Sequence, residues 1–180
     1  MINLSERETI DKVKSKQSIL TKIQDIILFG KGTREDLKEF DMRLREDYNK
    51  EISSLRQRWQ ELYLEVLESN QPSLNRKFKN VTQAIDIIKE QVNRGTYGYA
   101  PLFNRSGHIR ETELARVFNF DKEFAEYLDR IGESEDNVAK SLNSKDWKAV
   151  SDSVDNVKTA VDGAEKRWKE REKYFRSKEI

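Results

Sequence analysis

Residues 33–69 read TREDLKEFDMRLREDYNKEISSLRQRWQELYLEVLES, a stretch without a glycine or a proline. Its apolar residues Leu37, Phe40, Leu44, Tyr48, Ile52, Leu55, Trp59, Leu62 and Val66 recur by threes and fours, the period of one buried helix face. Thr33 opens the stretch and Asp36 follows three residues on, so each side chain can bond the other's backbone N–H. A helix over 33–69 would be on the order of 50 Å long at 1.5 Å per residue. That exceeds the diameter of a compact globule of this mass, and predicts a rod-like molecule.

The segments on either side repeat the pattern and are separated by helix breakers. Gly30 and Gly32 form one break, Pro72 a second, and Gly95, Gly98, Pro101 and Gly107 a third. Glycine costs about 1 kcal/mol and proline about 3 kcal/mol inside a helix, so the clusters mark boundaries. Before the first break, Ser5 and Glu8 offer another capping box, and Ile10, Val13, Leu20, Ile23 and Ile27 follow one stripe, predicting a helix over about 5–29. After Pro72, Leu74, Phe78, Val81, Ile85, Ile88 and Val92 predict a helix over 72–94.

Residues 95–110 read as a long loop. Beyond it, residues 111–142 are helical, with a break expected near 119–121, where Asp121 is placed to cap the longer part carrying Phe124, Leu128, Ile131, Val138 and Leu142. Gly132, inside that part, marks a close helix contact or a weak point. The last helix, over 145–177 and capped by Asn143 or Ser144, carries Trp147, Val150, Val154, Val157, Val161, Ala164 and Trp168. Valine is a poor helix former, so burial has to hold this helix, and Trp168 is expected inside. The fold class is all-α: one domain over 1–180, an elongated antiparallel bundle of about five helices with coiled-coil-like packing.

Composition agrees with this reading. Charged residues reach 37%, yet 34 basic residues balance 33 acidic ones and aromatics run throughout, which suits solvated helices rather than disorder. The lack of cysteine excludes disulfides, thiolate metal sites and thiol catalysis. The N-terminus has neither the basic start nor the apolar stretch of a secretory signal, and the longest apolar run, Ile26 to Phe29, is far short of a span. A cytoplasmic location is expected.

No chemistry-bearing motif stands out. His108, the only histidine, follows Ser106 by two residues, but adjacency on a loop does not assemble a triad. The Glu-x-x-His pairs of carboxylate-bridged metal bundles are absent, as are phosphate-binding glycine loops and zinc spacings. No catalytic residue, metal, cofactor or small-molecule substrate is expected.

Charge is nevertheless uneven along the chain. Residues 71–110 hold seven basic against two acidic residues, a net of +5, and residues 111–142 hold four basic against nine acidic, a net of −5. The plainest expectation is that the two stretches lie side by side and neutralise one another. The segment 94–110 is the candidate binding loop, because it interleaves Tyr97, Tyr99 and Phe103 with Arg94, Arg105, His108 and Arg110. Such side chains suit protein interfaces, where tyrosine and arginine are enriched, or a plug for the bundle's end. The leading functional expectation is a non-enzymatic interaction or scaffold module, binding another protein or itself. The alternative is a nucleic-acid-associated protein using the basic 71–110 stretch. A third reading, contact with a membrane surface, rests on Lys12, Lys14, Lys16 and Lys22 in the first helix, whose apolar face the bundle itself requires.

Overall fold

The computed structural model describes residues 33–95 and 111–176, together with 20–22, 24 and 25. The described residues form four long helices: α1 (Arg34–Glu68), α2 (Pro72–Arg94), α3 (Glu111–Asn143) and α4 (Trp147–Arg176). The chain is an all-α helical bundle. Residues 20–22, 24 and 25 are helical too, with Leu20 against the core and the Lys22 ammonium 5.9 Å from the Phe40 ring centre. The rest of the expected helix over 5–29 lies outside the described residues, as does 96–110.

Local chemistry sets the ends. Thr33 caps α1: its Oγ1 accepts from the Asp36 N–H at 3.1 Å, and its own N–H donates to Asp36 Oδ2 at 2.8 Å. The hydrogen bonds from Thr33 lower the Asp36 carboxyl pKa below its usual value. Pro72 occupies the first turn of α2, where a missing N–H costs nothing. The α3–α4 turn is a Schellman arrangement, with the Lys145 N–H on Leu142 O at 2.9 Å and the Asp146 N–H on Ser141 O at 3.2 Å. It puts Lys145 at φ 55°, in the left-handed region.

Two sequence expectations are corrected here. Asp146, not Asn143 or Ser144, caps α4, its Oδ1 accepting from the Ala149 N–H at 3.0 Å. And α3 runs unbroken through 119–121. Asp121 lies inside the helix rather than at its start, and its carboxylate accepts from Arg171 of another helix.

The helices pack as a ring in the order α1, α2, α4, α3. Trp59 stacks on Phe78 at 4.5 Å and donates its Nε1–H to Phe78 O at 3.1 Å, fixing α1 antiparallel to α2. Arg167 meets Glu123 at 2.5 Å, fixing α4 antiparallel to α3. Two glycines on facing helices play unlike parts. A Cβ on Gly163 would lie 2.2 Å from the Tyr127 ring, so α3 and α4 approach closely there. A Cβ on Gly132 would meet Leu55 at an ordinary 3.6 Å, so Gly132 marks no close contact.

For α2, this order also corrects the expected neutralisation; residues 96–110 of the basic stretch lie outside the described residues. The basic α2 and acidic α3 stand across the ring from one another rather than side by side. Lys77 of α2 pairs instead with Asp155 of α4 at 2.5 Å, and Asp136 of α3 pairs with Arg58 of α1. Sequential antiparallel packing leaves α1 and α3 running the same way, so one pole gathers the start of α1, the end of α2, the start of α3 and the end of α4. No described helix is long and apolar enough to cross a membrane.

Candidate binding site at one pole

The core stripes carry charge at that pole. Asp41 of α1, Asp121 of α3 and Arg171 of α4 all lie on heptad core positions, and all three have no exposed surface. Arg171 Nε donates to Asp121 Oδ1 at 2.6 Å, and its Nη2 donates to Asp41 Oδ1 at 2.5 Å. One planar guanidinium thus ties α4 to its neighbour α3 and, across the ring, to α1. Such a fork suits two carboxylates in fixed directions better than an ammonium would.

The network extends outwards. Arg45 Nε lies 3.7 Å from Asp41 Oδ2, and its Nη1 donates to the Gly95 carbonyl at the end of α2. All four helices are therefore linked. Tyr48 donates to the Asp121 backbone carbonyl at 2.9 Å. Burial first, and then the Asp121 charge, raise the Tyr48 phenol well above its usual pKa and keep it a neutral donor. Aromatic rings seal the cluster from below. Phe124 packs on Tyr48 at 4.9 Å and on Trp168 at 5.1 Å, while the Arg171 guanidinium lies 4.8 Å from the Trp168 ring centre.

Beside the cluster, a groove of about 500 Å³ separates the last turns of α2 and α4. Trp168, as expected, is buried, and forms part of its wall. The indole N–H has no acceptor among the described residues. Arg94, Lys169 and Lys173 line the groove with Glu90 and Glu172. Arg94 pairs with Glu90 at 2.5 Å, and Lys169 with Glu165 at 2.5 Å. Gly95 allows the two helix ends to come together, since a Cβ there would lie 2.8 Å from Trp168 Cζ2 and 3.0 Å from Glu172 Oε1.

Of the candidate residues named from the sequence, Arg94 is described: it is exposed, at the groove, where α2 ends. Tyr97, Tyr99, Phe103, Arg105, His108 and Arg110 lie outside the described residues. The residues that flank their segment, Gly95 and Glu111, are both at this pole. The sequence reading missed Asp41, Asp121 and Arg171. Among the described residues, no group of three or more His, Cys, Asp or Glu side chains could hold a metal ion. The groove presents aliphatic stems and mixed charges beside the buried Trp168 indole.

The fold defines the chain's class as a helical bundle. Comparison with known proteins takes the identification no further: no family model, no curated protein and no solved structure matches.

Proposed function

We propose that this chain is a non-enzymatic interaction module, a rod-like bundle that offers one pole to a protein partner. The observation that carries the reading is the asymmetry of the two poles. One is closed by two tight turns, at 69–71 and 144–146. The other has four helices locked by a buried ionic network beside an open, tryptophan-walled groove, and holds both ends of the Arg- and Tyr-rich segment 94–110. Binding surfaces work best on rigid supports, and aromatic and arginine side chains are the usual energetic centres of protein interfaces.

The test is a charge reversal that spares the fold. Arg94→Glu with Lys173→Glu changes exposed side chains, which contribute at most about 1 kcal/mol each to stability. The variant should melt close to the wild type and lose a partner that wild-type chain captures from native extract. Retention of every partner by the folded variant would overturn the reading. The alternative, nucleic-acid binding, gains one argument from the fold: Arg76 and Lys79 are exposed on α2, away from the acidic α3. A mobility shift on mixed DNA or RNA, steeply weakened by salt, would favour it; no shift at low salt would remove it.

A further inference from the structure

Glu135 occupies the core stripe of α3, between Ile131 and Val138, and has no exposed surface. Neither carboxyl oxygen has a hydrogen-bond partner among the described residues. The cation nearest to it is Arg58 of α1, with Nε 4.0 Å from Glu135 Oε2, and the Nη2 of that same guanidinium is committed to Asp136 at the surface. Asp136, next along α3, adds negative charge. The antiparallel register that pairs Glu123 with Arg167 brings Val154 and Val157 of α4 to this level. The charges there, Asp155 of α4 and Lys77 of α2, are paired with one another at the surface. An ionised Glu135 would be a buried charge with part of one cation for company, which is costly.

We propose that Glu135 is a proton-binding site set into the α1–α3 seam, occupied in the resting bundle, and that loss of its proton loosens the seam by drawing Arg58 from Asp136 and water toward the carboxylate. The inference does not depend on the binding role of the pole. Burial is the main cause that moves this carboxyl from an ordinary 4.5 to about 8, with Arg58 opposing and Asp136 assisting. The sign of the effect follows. Between those values the folded chain keeps a proton that the unfolded chain has released, so stability falls as pH rises. The contribution is fully present below about pH 4.5, declines through the window, and is gone above about pH 8.

Two measurements test this on the full chain. Carboxyl ¹³C resonances, with Glu135 assigned by comparison with Glu135→Gln, should give a midpoint near 8; a midpoint in the ordinary carboxylate range would overturn the proposal. Hydrogen exchange, corrected for its intrinsic pH dependence, should show amides of residues 55–62 and 128–138 opening faster from about pH 7 to pH 9 in the wild type and not in Glu135→Gln. Equal behaviour of the two would mean that the proton controls nothing. Should Glu135→Gln fold poorly, the titration can still be read on wild-type protein by selective glutamate labelling, and the same two midpoints decide it.

Discussion

Replacing Arg171 by alanine removes the guanidinium that two buried carboxylates share. Asp41 and Asp121 would remain, both without exposed surface and both previously within 2.6 Å of a donor nitrogen. Removing one partner of a buried ion pair costs roughly 3–5 kcal/mol, mostly the penalty of stranding the other charge. Arg45, 3.7 Å from Asp41 Oδ2, stays beside one of the two carboxylates, so the expected loss lies within that range. For a chain of this size each kcal/mol moves the midpoint by about 2–4 °C, so the melting temperature should drop by roughly 6–20 °C. A urea melt monitored by circular dichroism reads the free energy, and a thermal scan reads the shift. The comparison variant converts all three residues together: Arg171→Met, Asp41→Leu and Asp121→Leu. Apolar replacement of a whole buried ionic group is often neutral or stabilising, so this triple change should recover most of the loss. A cost below about 1 kcal/mol for Arg171→Ala would contradict this, because the two carboxylates would then be compensated without the guanidinium.

Other substitutions probe the packing. Trp168→Ala should cost about 3–5 kcal/mol in a denaturant melt, the range for deleting a buried aromatic; a change under about 1 kcal/mol would place the side chain outside the core. Gly132→Ala should stabilise by up to about 1 kcal/mol, since a Cβ there meets Leu55 at an ordinary distance and alanine is the better helix former. Gly163→Ala should instead destabilise by about 1–3 kcal/mol through the Tyr127 ring, and the penalty should vanish in a Tyr127→Ala background. In the segment outside the described residues, Arg105→Ala with Arg110→Ala should weaken partner binding with little change in melting temperature. If that segment only plugs the pole, Tyr97→Ala or Phe103→Ala should lower stability by about 1 kcal/mol or more with no separate binding defect.

The helical architecture was legible because apolar spacing along α1, α2 and α4 is nearly unbroken and the breakers fall between the stripes. The capping box at Thr33 and the burial of Trp168 followed from the same local logic. The ionic cluster escaped for a physical reason. A stripe read by apolarity passes over charged residues, so Phe40 reads as core and Asp41 does not, although Asp41 is buried and Phe40 only partly so. The register itself held the signal. Asp121 and Glu135 fall at heptad positions in line with Phe124, Leu128, Ile131 and Val138, and Arg171 follows Trp168 by three. A charge on a core stripe asks for a partner, and those partners lie 50 and 130 residues apart in sequence. Local pattern cannot reveal such a pairing before the helices are arranged. The same applies to the ring order, since net charge alone suggested that α2 and α3 would be neighbours.

If the pole with the groove is the working surface, a partner must touch it and not the opposite one. A photo-crosslinking amino acid placed at Lys173, on the groove, or at Asn143, by the closed turn, compares the two poles in native extract under identical conditions. A discrete protein adduct is expected from the Lys173 position, lost when Arg94→Glu is added, and none from the Asn143 position. Adducts from Asn143 alone, or the same adducts from both positions, would contradict it.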